Sequence, residues 1–209
     1  MALLDWTPEP AGPVVRGAGV LLRPPRIVDH APWAELRAAS RSYLQPWEPT
    51  WPEDDLSRAA FRRRLSVYAR ELELQTAFPF FIFAQTPEGR EGPLAGAVTL
   101  SNIRRGVAET GQLGYWIGEA CAGRGLGTAA VRAVCAFAFD QLRLHRIEAA
   151  CLPSNARSRR VLEKSGFRLE GRARAYLKIN GVWADHLLFG LVEDEHADAL
   201  ARPSGRGVE

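Results

Sequence analysis

Apolar and polar residues follow two rhythms along this chain. Residues 56–74, "LSRAAFRRRLSVYARELEL", place Leu56, Ala60, Phe61, Leu65 and Tyr68 near helical spacing. Residues 29–40, "DHAPWAELRAAS", put Trp33 and Leu36 on one helical face, with Asp29 positioned to cap it. From Leu126 to Gln141 the apolar residues wrap most of the cylinder, and Arg132 and Asp140 are the clear polar members. Such a helix is predicted to lie largely buried against a sheet. "NARSRRVLEKSG" (155–166) is a fourth helix, with Asn155 at its cap and Gly166 just past its end.

The second rhythm is that of strands. "GVLLRPP" (19–25) is stopped by two prolines. "FPFFIFAQ" (78–85), "PLAGAVTLSNI" (93–103) and "GQLGYWIG" (111–118) follow, with the turn signal "TPEGREG" after the first of them. "HRIEAACLP" (145–153), "FRLEGRARAYLKI" (167–179) and "ADHLLFGLV" (184–192) complete the set; Asn180-Gly181 joins the last two as a hairpin. The order β-α-α-β-β-β-α-β-α-β-β predicts an α/β (α+β) domain. Strands 111–118 and 145–153 flank a helix and are predicted to be parallel.

Composition narrows the class. A chain of 209 residues, 46% hydrophobic and 24% charged, suits one soluble domain. We expect that domain over 19–193, a loose Pro- and Gly-rich segment over 1–18, and a polar tail over 194–209. No apolar run reaches the roughly 20 residues of a membrane helix, and the N-terminus lacks a signal pattern, so the expected location is cytoplasmic. Cys121, Cys135 and Cys151 form no close pair, and the four histidines are dispersed, so no metal is expected. The net charge of +3 suits a phosphate-bearing ligand without indicating direct nucleic-acid binding. The runs "RRR" (62–64) and "RSRR" (157–160) read as solvated helix faces.

The candidate chemistry begins at "GYWIGEACAGRGLGTAAVRA" (114–133). Gly123, Gly125 and Gly127 lie between the end of a strand and the start of a helix. Glycines admit positive φ and close approach of a ligand, and the first helical N–H groups have no internal partner. Together these form an anion site, best suited to phosphates, with Arg124 beside it. The P-loop pattern is absent, since no Lys follows Gly127, and the dinucleotide pattern GxGxxG is not met. A plain glycine-rich turn is the competing reading of the loop by itself.

"ACAGRGLGTAAV" followed by "LPSNARSRRVLEKSGF" resembles the acyl-CoA signature of GCN5-related N-acetyltransferases, the GNAT superfamily. "YLQPWEPTW", "SNIRRG", "LGYWIG" and "YLKINGVWADHLLFGL" resemble its RimJ/RimL branch, the RimJ side most, over roughly 19–193. The resemblance implies a GNAT fold: a mixed sheet of about seven strands flanked by about four helices, with a splayed parallel strand pair at the acetyl-CoA site. It implies that Ala122, Gly123, Arg124, Gly125, Leu126, Gly127 and Thr128 hold the pyrophosphate of acetyl-CoA. Ala122 stands where the family prefers Gln or Arg. Tyr115, Trp116 and Ile117 would flank the pantetheine and orient the acyl carbonyl, and Asn155 would contact the pantetheine or cap its helix. Ser158 would assist the departing thiolate.

The implied reaction is direct attack of an amine on the thioester, without a covalent enzyme intermediate. The acceptor implied is the N-terminal α-amine of a ribosomal protein. A small amine (polyamine, amino acid or antibiotic) is the alternative, as is a non-catalytic acetyl-CoA-binding or ribosome-assembly role; a homodimer is compatible with each. Relatives often carry Glu where this chain has Gln112. Glu48 is the preferred candidate for binding or deprotonating the amine, ahead of Glu109, Asp185 and His186. Tyr43, Trp47 and Trp51 are expected to line the acceptor cleft with it.

Overall fold

The computed structural model describes residues 11–196. Among them an eight-stranded sheet runs in the order β1-β2-β3-β4-β5-β6-β8-β7. Its strands are β1 (Val15–Gly17), β2 (Val20–Arg23), β3 (Phe78–Gln85), β4 (Glu91–Arg104), β5 (Thr110–Ile117), β6 (Arg146–Cys151), β7 (Arg168–Ile179) and β8 (Val182–Val192). Every neighbouring pair is antiparallel except β5 and β6, which are parallel. The helix between those two, α4 (Leu126–Asp140), is the crossover that a parallel pair requires. The remaining helices are α1 (His30–Ala39), α2 (Arg41–Leu44), α3 (Arg58–Glu73) and α5 (Ala156–Lys164).

Helices cover both faces, which explains the uninterrupted apolar run of β3. Phe80 and Ile82 point into one core with Phe137, Val134 and Val131 of α4 and with Leu162 of α5. Phe81 and Phe83 point the other way, into a second core with Trp33 of α1 and Phe61 and Leu65 of α3. Cys135 is fully buried within α4, and burial pushes its thiol far above the ordinary range.

Four expectations change. The strand count rises from seven to eight because Val15–Gly17 pairs with β2 across a turn at Gly19, inside the segment expected to be loose. The proline-broken stretch after Ser40 contains α2 and a 3₁₀ turn over Gln45–Trp47. Residues 194–196, placed in the expected tail, belong to a helical turn whose His196 packs against Phe139, 5.1 Å between ring centroids; residues 1–10 and 197–209 lie outside the described residues. Asp29 does not cap α1 through its side chain. Its carboxylate instead receives Arg23 Nη1 and Nη2 at 2.7 and 2.8 Å, and the Arg26 N–H at 2.6 Å. These partners lie six and three residues upstream, so the Asp29 side chain serves the 3₁₀ turn over Ile27–Asp29 and not α1.

Arg23 is 4% exposed, stacks over the Phe83 ring at 4.3 Å, and also holds Glu91. Neutralising Asp29 while keeping its shape removes a charge-assisted bond of about 2 kcal/mol. Asp29→Asn is therefore expected to lower unfolding free energy by about that amount in urea titration. A loss under about 0.5 kcal/mol, the range of ordinary surface substitutions, would show the pair to be inert.

Two turns follow the sequence reading closely. Asn180 and Gly181 take φ of 42° and 84°, the left-handed pair of a tight hairpin. Asn155 Oδ1 accepts the Ser158 N–H at 3.0 Å at the start of α5, and Gly166 follows its end at φ 94°.

Candidate active site

The site is built where β5 and β6 part. Their pairing runs from Thr110–Arg146 to Leu113–Ala149 and stops, although β5 continues to Ile117 and β6 to Cys151. Beyond Leu113 the side of β5 that faced β6 has no partner strand among the described residues. A Cβ placed on Gly114 would meet nothing within 4 Å. Tyr115 and Ile117 pack toward the α4–α5 core, whereas Trp116 packs toward the α1–α3 core.

On the α4 side, β5 leads into the glycine loop. The loop's start is pinned to the end of α1, where the Glu119 N–H donates to Ser40 Oγ at 2.9 Å. Gly123 and Gly125 take φ of 77° and 81°, and a Cβ on either would point into open space. Gly125 is the N-cap of α4 and brings no side chain to its amides. The first bond of the helical ladder is Ala129 N–H to Gly125 O at 3.0 Å, so the amides of Leu126, Gly127 and Thr128 precede that ladder. Ala122 and Thr128 are half-buried at the two shoulders of the loop, and Arg124 is exposed at its crest. Gly127 serves differently: its Cβ position lies 3.3 Å from Ile117 Cγ1, so its smallness fits α4 against β5. Free amides, a positive helix end and an adjacent guanidinium make a cradle for a phosphate group.

Ser158 lies one turn into α5. Its Oγ is 2.9 Å from the Tyr115 hydroxyl, which also donates to the Ser158 carbonyl at 3.1 Å. Burial pushes the Tyr115 phenol well above its ordinary range, so it remains a proton donor at neutral pH. Asn155 is engaged as the cap of the same helix.

The opposite face holds a cavity of about 350 Å³. Trp33 and Arg37 of α1, Arg64 and Tyr68 of α3, and Glu48 form its walls, and Gly114–Trp116 of β5 reach it from the sheet. Glu48 Oε1 accepts from Arg37 Nη1 at 2.8 Å, and Oε2 accepts from Trp51 Nε1 at 2.7 Å. The Arg37 guanidinium lies over the Trp51 ring at 3.9 Å and 5.0 Å from that of Trp116, with Asp55 3.7 Å away. Arg64 pairs with the other Asp55 oxygen at 2.8 Å. Two guanidiniums are thus matched by two carboxylates. The Asn180 N–H donates to the Glu48 carbonyl at 2.9 Å, so the β7–β8 turn closes this wall.

The four expected acceptor-side residues separate. Glu48 lines the cavity and Trp51 holds its carboxylate. Tyr43 stacks under Arg157, 5.1 Å from the guanidinium, between α2 and α5. Trp47 is half-buried in the 3₁₀ turn. Arg37, Arg64 and Tyr68 escaped the sequence reading. Arg64 belongs to the "RRR" run read as solvated, and only its neighbour Arg63, on the exposed Asp54 pair, fits that description well. A carboxylate at Asp55, nine residues before Arg64, is the signal that was present but not distinctive.

Three alternative bases are placed elsewhere by the fold. Glu109 sits before β5, at its end remote from the splay, and binds Arg105 and the Gly106 N–H. Asp185 is tied to Arg172 and to the Ala175 N–H on the hairpin. His186 is buried, with Nδ1 3.0 Å from the Ala184 carbonyl. Gln112 accepts from Asn102 at 2.7 Å, two residues before Gly114.

A splayed parallel pair, a glycine cradle at the crossover helix and a pocket across the sheet define an acyl-CoA transferase. Residues 20–168 match the acetyltransferase (GNAT) domain family. The chain belongs to this family and is an acetyl-CoA-dependent N-acetyltransferase related to the ribosomal-protein acetyltransferases. It is 35% identical over 182 residues to a Bacillus subtilis protein named probable N-acetyltransferase YjcK, covering 87% of this chain and 98% of that one. It is 34% identical over 167 residues to the ribosomal protein uS5-alanine N-acetyltransferase of Escherichia coli, covering 79% and 84%. The solved structure of Mycobacterium smegmatis RimJ in complex with CoA-disulfide superposes with a TM-score of 0.81 at 32% identity, covering 90% and 92%.

Among the described residues, no group of three or more His, Cys, Asp or Glu side chains is arranged to hold a metal ion, and no helix is long and apolar enough to cross a membrane.

Proposed function

We propose that this protein transfers the acetyl group of acetyl-CoA to the N-terminal α-amine of a protein, in the manner of the ribosomal protein uS5-alanine N-acetyltransferase it resembles. The observation that carries this reading is the double role of Gly114–Trp116: this segment borders the open edge beside β6 and also lines the cavity holding Glu48. Acetyl-CoA would lay its pyrophosphate on the amides of Leu126, Gly127 and Thr128, with Gly123 and Gly125 giving room and Arg124 adding charge. Its pantetheine would run between β5 and α5, past Asn155, toward Ser158. The acceptor amine would enter from the opposite face.

In this arrangement the amine nitrogen attacks the thioester carbon and its proton passes to Glu48, directly or through water. The carbonyl oxygen gains charge beside the unpartnered main chain of β5, where fixed donors stabilise it. The C–S bond then breaks, and the electron pair stays on sulfur near the Ser158 hydroxyl.

Glu48, the carboxylate lining the pocket, already accepts from Arg37 and Trp51, so the site calls for an acceptor that gives up its proton easily. That suits an α-amine, with a pKa of about 8, better than a lysine side chain at about 10.4. We expect a peptide with a free N-terminal Ala and an internal Lys to be acetylated at the α-amine, as read by tandem mass spectrometry. Label on Lys alone, or only on spermidine-like amines assayed in parallel, overturns the acceptor assignment and leaves the acetyl-CoA site standing.

A further inference from the structure

We propose that the Tyr115 hydroxyl is a positioning residue for Ser158, holding that side chain ready to turn toward the departing thiolate; this rests on the reading of Ser158 given above. The geometry comes from the splay. Where β5 has lost β6 as a partner, the Tyr115 side chain spans to the first turn of α5 and touches Ser158 twice.

One hydrogen assignment satisfies both contacts, with the Cys151 thiol as a further neighbour of the Ser158 hydroxyl. The phenol carries one hydrogen, and the Ser158 carbonyl at 3.1 Å can only accept. With the phenol donating there, the Ser158 hydroxyl is the donor across the 2.9 Å contact to the phenol oxygen. Its hydrogen is then parked inward, away from the ligand channel. When negative charge develops on sulfur, the Ser158 O–H turns outward to it. The Tyr115 O–H turns from the carbonyl to the vacated Ser158 oxygen, keeping that oxygen hydrogen-bonded and making its hydroxyl a better donor. No O–H bond breaks in this exchange. The electron pair of the C–S bond remains on sulfur as thiolate, and the ammonium proton leaves on the acceptor side.

The phenol suits this task because burial raises its pKa, so it rotates without ionising. The ring is fixed independently of the hydroxyl by its packing in the α4–α5 core. Tyr115→Phe therefore deletes one oxygen and leaves the ring in place.

The test is a double-mutant cycle in the full-length protein, with Tyr115→Phe, Ser158→Ala and the double variant. Turnover, KM for acetyl-CoA and the calorimetric Kd for CoA are measured for each. One neutral hydrogen bond in the transition state corresponds to about 5-fold in rate. We expect kcat to fall about 5-fold in Tyr115→Phe and about 10-fold in Ser158→Ala, with the double variant no worse than Ser158→Ala, because the pair acts as a unit. KM and Kd should stay within about 2-fold, since the exchange strengthens only as charge develops. Multiplying losses in the double variant, or an unimpaired Tyr115→Phe beside a slow Ser158→Ala, overturn the inference and spare the reading of Ser158. A Tyr115→Phe effect confined to KM and Kd reduces the phenol to a structural latch and also overturns it. Wild-type turnover in Ser158→Ala removes the reading itself.

Discussion

Glu48→Gln lowers kcat/KM for an N-terminal peptide by about 100-fold at pH 7, the low end of what a general base contributes. The amide keeps the size of the side chain and can still accept from Arg37 at the 2.8 Å contact. What it loses is the capacity to take a proton, the negative charge facing an incoming ammonium, and the bond from Trp51 Nε1, which an amide NH2 cannot accept. The sign of the pH dependence follows from the acceptor. Below its pKa of about 8 the α-amine is protonated and needs a base; above it the neutral amine dominates. The deficit of the variant should therefore shrink as pH rises from 7 to about 9.5. The CoA dissociation constant should be unchanged, because Glu48 lines the cavity on the face opposite the glycine loop. A deficit that stays constant over the whole pH range would make Glu48 a binding or structural residue and leave the base unassigned.

Gly125→Val abolishes useful acetyl-CoA binding. Two effects act at one position. A β-branched residue at φ 81° strains the backbone by about 1–2 kcal/mol. Its side chain would also project into open space beside the proposed phosphate cradle, preventing approach to the amides. Hydrogen bonds to a charged group are worth about 1.5–3 kcal/mol each, so losing two weakens binding by at least about 100-fold. Gly106→Val separates these effects. Gly106 has φ 73° and equally open surroundings, but it lies in the β4–β5 turn at the other end of β5. It should cost similar stability and leave CoA affinity intact. Calorimetric titration of both variants with CoA decides the matter: equal affinities would remove the phosphate from this loop.

What could be read in advance follows from the range of the forces involved. Strand β3 was delimited correctly because six consecutive buried residues, Phe78 to Phe83, facing both cores, leave a continuous apolar run. The Asn180-Gly181 turn and the Asn155 cap are local chemistry, decided within four residues. β1 was missed because three residues between Pro- and Gly-rich flanks carry too short a pattern, and its stability comes from pairing with β2 and packing on α4. The glycine loop was legible since backbone conformation is written in residue type. Of the helix and loop residues lining the cavity across the sheet, only Glu48 was singled out in advance as a site candidate. Arg37, Arg64 and Tyr68 carry ordinary helix-surface or helix-core residue types, and their meeting around Asp55 and Glu48 is a product of how α1 and α3 cross the sheet.

The two cores have a consequence for how this protein could diverge. The proposed donor machinery hangs from the α4–α5 layer, and the proposed acceptor pocket from the α1–α3 layer, with Gly114–Trp116 shared between them. Substitutions in one layer reach the other through the strands between them, and at the site itself through Gly114–Trp116. A lineage can rework Arg37, Arg64, Tyr68 or the Asn180-Gly181 tip, and so exchange one acceptor for another, while its grip on the acyl donor is inherited unaltered. On this reading the sheet separates a supplier of acetyl groups on one face from a replaceable receiver on the other.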